Sequence, residues 1–355
     1  MRPKQSDYLT WSKRRSGARY NLARSGAPRF PLADLSPSLD DLLATDPHED
    51  GWPPLVDRIA ARYGVSAQSV VTTHGCSMAN HLAYAALLET GDDVLIETPV
   101  YEPLVTLTRY LGARPNLVAR RAEAAWRMDP ADVKRALTPR TKLVILSNLH
   151  NPTGALDDDA TVAEIARAAE QVGAHVLVDE VYLEFLHADG VRTSAGVAPN
   201  VLATRSLTKA FGLDTLRIGW VVAEPALAER IRRLNDLFSV TIAHPSERLA
   251  ARALDQADGI LARTRADLAR NLEAMDAFVR ARPRLSWARP RAGTVGFVRV
   301  EGVDVDAWVE RLHREYEVAI VPGRFFDAAG HVRIAFGLAP DDFRAALERM
   351  ARALA

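Results

Sequence analysis

The sequence predicts an α/β fold, with a large domain on a mostly parallel sheet flanked by helices and a smaller α+β domain after it. Three observations carry that expectation. From Asn148 to Ala223, short apolar β runs alternate with helical segments, the pattern of a parallel sheet covered by helices. Past Pro225 the chain turns helical and rich in Ala, Leu and Arg through about Ala281, with a break near His244-Pro245. The last third alternates strands and helices in a less regular order, and 355 residues is a comfortable length for two domains with their own cores. The expected division is an N-terminal arm and substrate loop over residues 1–45, packing with the small domain, a large domain over 46–243 and a small domain over 244–355.

The elements follow in order. Residues 1 to about 45 are rich in Arg, Pro and Ser and show little sustained periodicity, so they read as arm and loops. Gly51-Trp52-Pro53-Pro54 opens a helix that Gly64 stops, because proline suits a first helical turn and glycine a helix end. Residues 69–73 form a short buried strand, followed by His74-Gly75-Cys76-Ser77 and an apolar helix over 78–88. Further strands are expected at 93–97, 142–147, 174–178, 201–204 and 217–223, with a helix near 160–172 whose start the acidic run 157–159 caps. In the last third the expected strands are 285–288, 296–300, 318–321 and 332–336, with helices at 305–316 and from Asp341.

Charge and composition narrow the partners. Lys plus Arg and Asp plus Glu number 45 each, for a formal net charge of zero, so there is no electrostatic case for nucleic acid or an anionic membrane. A small-molecule partner is expected. The one cysteine, Cys76, has no intramolecular disulfide partner, which fits a reducing compartment. The basic N-terminal residues have no apolar run behind them, as a secretory signal requires, and no stretch is apolar for long enough to span a bilayer. A soluble cytoplasmic protein is expected. The histidines show no metal-binding spacing such as H-E-x-x-H, and no metal is expected.

The chemistry concentrates at 205–220, R-S-L-T-K-A-F-G-L-D-T-L-R-I-G-W. Lys209 follows the hydroxyls of Ser206 and Thr208, and Arg217 comes eight residues later. Hydroxyls and a guanidinium fork hold an anion, and a lysine in a dry site loses its proton and attacks carbonyls. Ser206 to Lys209 also satisfies the Ser-x-x-Lys signature of penicillin-binding enzymes, but the Ser-Asp-Asn and Lys-Thr-Gly partners of that signature do not occur. Upstream, the strand, Gly75 and the helix after it offer free backbone N–H groups to an anion. Asn151-Pro152-Thr153-Gly154 is a turn by composition, but it follows a strand, where ligands of α/β sheets sit. Asp179 ends a buried strand, where a carboxylate is costly unless paired or hydrogen-bonded.

In this order and spacing, Asn151, Asp179, Tyr182, Lys209 and Arg217 resemble the class I/II aminotransferases, the fold-type-I enzymes that use pyridoxal phosphate. The resemblance covers roughly residues 20–350. It implies that Lys209 is the Schiff-base lysine and proton shuttle, that Asp179 holds the pyridine nitrogen protonated, and that Asn151 and Tyr182 meet the phenolic oxygen. It further implies that Tyr101 stacks on the ring and that Ser206, Arg217 and the amides of Gly75, Cys76 and Ser77 anchor the phosphate. Gly26, in Tyr20-Asn21-Leu22-Ala23-Arg24-Ser25-Gly26, is implied to lie over the substrate, with Asn151 beside it and Arg333 gripping the α-carboxylate. The implied activity moves an amino group between an L-amino acid and a 2-oxo acid by a ping-pong mechanism, in a homodimer with shared active sites. A β-lyase, a decarboxylase or an oxidase on the same constellation is the alternative. A cofactor-sensing transcription regulator is not expected, since the arm is too short for a DNA-binding domain. Two positions depart from the family pattern: Asp46, with His48 nearby, stands where a tyrosine reaches the neighbouring subunit's cofactor phosphate, and Leu149 stands where many relatives have proline. For the substrate side chain, Arg24 is the candidate for an acidic group, and Tyr8, Trp11, Phe185 and Phe325 for an apolar wall.

Overall fold

Proline and glycine punctuation, apolar alternation and acidic caps set the elements of the chain, and the computed structural model describes them over residues 3–42, 50–186 and 192–354. Asp46 and His48 lie outside the described residues. Helix α1 (Asp7–Arg14), the short strand β1 (Tyr20–Asn21) and helix α2 (Pro53–Tyr63) come first. A βα series follows: β2 (Val70–Thr73), α3 (Cys76–Leu87), β3 (Asp93–Thr98), α4 (Glu102–Tyr110), β4 (Arg114–Ala119), α5 (Pro130–Ala136), β5 (Thr141–Ser147), α6 (Asp159–Glu170), β6 (His175–Asp179), β7 (Val201–Ser206) and β8 (Gly219–Val222). Three helices, α7 (Pro225–Asn235), α8 (His244–Asp255) and α9 (Ala257–Arg280), lead to β9 (Leu285–Trp287), β10 (Val295–Val300), α10 (Val305–Tyr316), β11 (Val318–Ala319), β12 (Val321–Pro322), β13 (His331–Ala335) and α11 (Pro340–Leu354).

Seven strands form the large sheet in the order β2-β8-β7-β6-β5-β3-β4. Neighbours from β4 through β7 run parallel, and β8 runs antiparallel between β7 and β2. The mostly parallel sheet expected from the sequence is therefore present. Its inner strands are largely apolar on both faces because both faces are covered, whereas the edge strand β4 is mostly exposed. Leu143 and Ile145 of β5 pack with Leu82 of α3 and Ile231 of α7, while Val144 and Leu146 turn to Val162 and Ile165 of α6. Each such side chain contributes about 1.5–3 kcal/mol on burial. One consequence positions everything that follows: Thr73, Ser147, Asp179 and Ser206 end β2, β5, β6 and β7 at a common edge, the edge where α/β sheets hold ligands.

A second sheet, β12-β13-β10-β9, is antiparallel. The pair β1–β11 is parallel and draws the arm onto it, and the Ala335 N–H reaches the Leu22 carbonyl at 2.8 Å.

Local differences from the sequence reading have plain causes. The arm contains a helix: Ser6 caps α1 through the Leu9 N–H (3.1 Å), and Tyr8 and Trp11 are its buried residues, too few to show a period. Pro245 lies in the first turn of α8, where proline starts a helix and does not interrupt one. Residues 318–321 split into β11 and β12 because the two halves pair with different partners. Of the acidic run, Asp158 caps α6 through the Thr161 N–H (2.8 Å), whereas Asp157 is buried against Arg120. Gly64 ends α2 with φ +65° as expected. No helix among the described residues is long and apolar enough to cross a membrane.

Candidate active site

A cavity of about 400 Å³ opens at the carboxyl edge of the large sheet, under a roof made by α1 and the loop after β1. Lys209, Asp179, Tyr182, Asn151 and Tyr101 line it together, and so do Cys76, Ser77, Ser206 and Arg217 at its other end. Gly26, Gly75 and Arg333 lie just behind the lining.

Asp179 is 6% exposed. Its oxygens accept from Asn80 Nδ2 (2.9 Å), the Val181 N–H (3.2 Å) and Cys76 Sγ (3.5 Å). Asn80 is itself fixed by the Thr204 hydroxyl, which donates to Asn80 Oδ1 at 2.6 Å. Burial raises the Asp179 carboxyl above its ordinary range, against those three donors and the nearby Lys209 charge. The result is a buried acid held entirely by neutral groups, poised for a cation.

Lys209 follows β7 and points its amine into the cavity, 3.0 Å from Ser25 Oγ. Burial, then the positive charges of Arg333 and Arg24, bring its pKa down to about 8, so a sizeable fraction is free amine under mildly alkaline conditions. Tyr182 donates to the same Ser25 oxygen at 2.7 Å. Burial drives the phenol upward, which keeps it a donor.

The anion end is built by glycines. Gly75 caps α3 with φ +77°, and a Cβ there would overlap the Arg217 guanidinium. A Cβ at Gly219 would come 2.5 Å from the Gly75 carbonyl carbon and 2.7 Å from the Cys76 nitrogen. Arg217 adopts a left-handed backbone (φ +54°), so strand β8 begins at Gly219 and not at Arg217, and the guanidinium swings back to the His74 carbonyl (3.5 Å). One expectation is corrected here: the Gly75 N–H is spent on the Thr73 carbonyl (2.8 Å). The donors left for an anion are the amides of Cys76 and Ser77, which precede the first intrahelical bond, beside Arg217 and the Ser206 and Thr208 hydroxyls.

Arg333, on β13, is fully buried. It donates to Asn151 Oδ1 (3.0 Å), the Tyr8 hydroxyl (2.8 Å) and the Ala23 carbonyl (2.8 Å), so the arm, the Asn151 turn and the small sheet meet on one guanidinium. Its Nε has no hydrogen-bond partner among the described residues. Gly26 packs against the lysine segment: a Cβ on it would lie 3.5 Å from the Thr208 carbonyl oxygen and 3.7 Å from Lys209 Cδ. Tyr101 caps α4 with its ring edge-on to Tyr8 at 5.6 Å.

Arg24 lines the cavity and is paired with Asp214 at 3.0 Å. Of the four aromatics, Tyr8 lines the cavity; Phe325 packs on both Tyr8 and Trp11, and Phe185 is buried in the core. The sequence reading missed Ser25, Asn80, Ser147 and the Tyr8–Arg333 bond. Asn80 had a usable signal, since it lies four residues after Cys76 on one helix face.

A lysine whose pKa burial lowers, a buried acid bonded by neutral donors and a helix N-terminus with an arginine beside it share one cavity, the make-up of an enzyme that uses a phosphate-bearing carbonyl cofactor. The chain belongs to the aminotransferase class I and II family, which it matches over residues 43–350, and that family depends on pyridoxal phosphate. It is 29% identical over 341 residues to capreomycidine synthase of Streptomyces vinaceus, covering 90% of this chain and 85% of that protein. It is 29% identical over 363 residues to arginine–pyruvate transaminase of Pseudomonas aeruginosa, covering 97% and 92%. Among solved structures, a pyridoxal-phosphate-dependent aminotransferase from Streptococcus suis superposes with a TM-score of 0.93 at 27% identity, covering 100% of this chain and 98% of that one. The fold is the fold-type-I architecture that the motifs implied.

Proposed function

We propose that this enzyme moves an amino group between an L-amino acid and a 2-oxo acid, with Lys209 as the residue that carries pyridoxal phosphate and transfers the proton. The observation that carries the reading is the Lys209 amine, brought down to about 8 in a cavity it shares with the buried Asp179. The residues fit the cofactor: the Cys76 and Ser77 amides, Ser206 and Arg217 would hold its phosphate, Asp179 its ring nitrogen, Asn151 and Tyr182 its phenolic oxygen, and Tyr101 its ring face. Bound there, the cofactor supplies an electron sink for the bond broken at the substrate α-carbon. Arg333 would orient the α-carboxylate, for which its unpartnered Nε and its neutral oxygen partners leave capacity. Gly26, against Lys209, would bring backbone over the substrate. Lys209 then takes a proton from the α-carbon and returns it as general base and acid, while the arm excludes water.

A homodimer with shared active sites belongs to this reading. Exposed Tyr110, Leu237, Phe238 and Val240, with Phe238 edge-on to His81 at 5.2 Å, support it as apolar surface suited to a partner. A cytoplasmic location, and domains at 46–243 and 244–355 with the arm before them, complete it.

A second reading, a ring-forming reaction on the same constellation, is favoured by one observation: a solved structure that matches 99% of this chain at 26% identity and a TM-score of 0.90 is that of a pyridoxal-phosphate-dependent cyclase. The visible spectrum of the purified protein decides. With a panel of amino acids added singly, transamination predicts that one bleaches the yellow cofactor band and that a 2-oxo acid restores it. A band that persists while another product accumulates would reject transamination in favour of the second reading.

A further inference from the structure

Ser25 sits between the two side chains that the chemistry needs to meet. Its oxygen is 2.7 Å from the Tyr182 hydroxyl and 3.0 Å from Lys209 Nζ, and the residue is 5% exposed. The loop that carries it is pinned on every side. Asn21 Oδ1 accepts from the Ala23 and Arg24 N–H groups at 3.1 Å each, Thr294 Oγ1 donates to the Ser25 carbonyl at 2.7 Å, and the Ala27 N–H donates to the Lys209 carbonyl at 2.8 Å. Gly337 admits the Gly26 carbonyl, which a Cβ at 337 would overlap. The hydroxyl is therefore aimed, and no other loop movement is needed to bring it to the amine.

A hydroxyl has one O–H and two lone pairs. When Lys209 is an ammonium, Ser25 accepts from it and from Tyr182, and both lone pairs are used. When Lys209 is a free amine, the Ser25 O–H turns to the nitrogen lone pair; without cofactor the chain is Tyr182 O–H to Ser25 O–H to Nζ, and where Tyr182 gives its one O–H to the cofactor's phenolic oxygen the Ser25–Nζ bond remains. The heavy atoms stay where they are in both states. We propose that Ser25 is a further catalytic residue: its hydroxyl holds the Lys209 amine through both protonation states, so that the lysine gains and loses its proton without leaving its place. No bond between heavy atoms changes in this step: the α-C–H bond breaks as an Nζ–H bond forms, its electron pair stays with the substrate, and the Ser25 hydrogen only reorients. This rests on Lys209 being the reacting lysine of the proposed function.

Removing the hydroxyl takes an acceptor from the ammonium and a donor from the amine. Hydrogen bonds to charged groups are the stronger of the two, by about 1–1.5 kcal/mol, so Ser25→Ala should lower the Lys209 pKa by about one unit, whereas Ser25→Thr should restore it. The site reactivity of Lys209 reads this directly, by reductive methylation with formaldehyde and cyanoborohydride across pH on the full-length protein freed of cofactor, with the product mapped by mass spectrometry. In the cofactor-loaded enzyme, Ser25→Ala should lower kcat about 10–100-fold with little change in KM. The isotope effect of α-deuterated substrate should grow as proton transfer becomes slower, and fall back in Ser25→Thr. Unchanged reactivity and isotope effect in Ser25→Ala would overturn the proposal, and so would an alanine-like profile in Ser25→Thr. Borohydride reduction of the loaded wild-type enzyme keeps the two readings apart. Cofactor mapped to another lysine refutes the proposed function whatever Ser25 does, while cofactor on Lys209 with no Ser25 effect refutes this inference alone.

Discussion

Two clusters of buried polar side chains grow from the same edge of the large sheet, and they are wired in opposite ways. In one, Arg120 forks between Glu97 (2.8 Å) and Asp157 (3.1 Å) and also meets the Trp126 carbonyl (2.8 Å); the Ser147 N–H and hydroxyl donate to Glu97 at 2.7 and 2.6 Å, and the Met128 N–H to Asp157 at 2.9 Å. In the other, Lys209 meets a serine, Asp179 meets an amide, a thiol and a backbone N–H, and Arg333 meets three neutral oxygens. In the first cluster a buried arginine is in direct contact with two carboxylates; in the second every hydrogen-bond partner is a neutral group. A buried charge without an ion-pair partner is costly, and among the described residues Lys209, Asp179 and Arg333 have no such partner in direct contact, acting on one another only across the cavity. The difference separates scaffold from site: the missing counter-ions are what a pyridinium, a phosphorylated carbonyl compound and a carboxylate substrate would bring.

The largest effect that sharpens this contrast is Lys209→Ala. Turnover should fall by on the order of 10⁴-fold while thermal stability holds or rises, since an uncompensated amine is removed. Single-turnover kinetics beside a melting curve check both, and wild-type-like turnover would remove Lys209 from its role. On the scaffold side, Arg120→Met leaves Glu97 and Asp157 facing each other without a cation and should destabilise by about 3–5 kcal/mol in denaturant unfolding. The matching change in the site, Arg333→Met, should cost far less stability. Equal losses in the two variants would erase the distinction between the clusters. Arg333→Lys keeps the charge but loses the fork; KM for the amino acid should rise about 10–100-fold with a smaller change in kcat, and a fall in kcat alone would take Arg333 away from the carboxylate.

How much of this was legible in the sequence follows the same division. The inner strands of the large sheet were readable because runs such as Leu143-Val144-Ile145-Leu146 are buried on both faces; the edge strand β4, mostly exposed, carries no such run and was not read. Lys209, Asp179 and Asn151 were readable because they follow or end those strands, where position alone sets direction. Ser25 and the bond between Tyr8 and Arg333 were not, because the partners lie 184 and 325 residues apart, and only tertiary contacts bring a serine of the arm to a lysine after β7. Helix α1 was hidden because it buries only two side chains, and its remaining apolar residue, Leu9, is exposed. The pairing of Arg24 with Asp214 of the lysine segment was illegible for a related reason: neither residue announces the other.

The smallest effect concerns the scaffold cluster, which is one cation short of full pairing. Arg120 serves two carboxylates, and Glu97 also faces the Ser147 hydroxyl on β5, His150 at 3.6 Å in the turn after it and Tyr84 on α3. Burial, only partly offset by Arg120, raises Glu97 to about 7 from 4.5, while burial keeps His150 neutral. The folded chain then holds a proton on Glu97 over a pH range where the unfolded chain has lost it. That stabilisation is full below about pH 4.5 and lost as pH rises through about 7, with a slope of at most about 1.4 kcal/mol per pH unit. Glu97→Gln, which titrates nowhere in this range, should flatten the stability curve between those limits and gain on the wild type as pH rises. Denaturant unfolding of both proteins at pH 5, 6 and 7 measures the difference; parallel curves would mean that Glu97 is ionised throughout and that Arg120 pairs both acids fully, leaving the scaffold cluster with no group that titrates near neutrality.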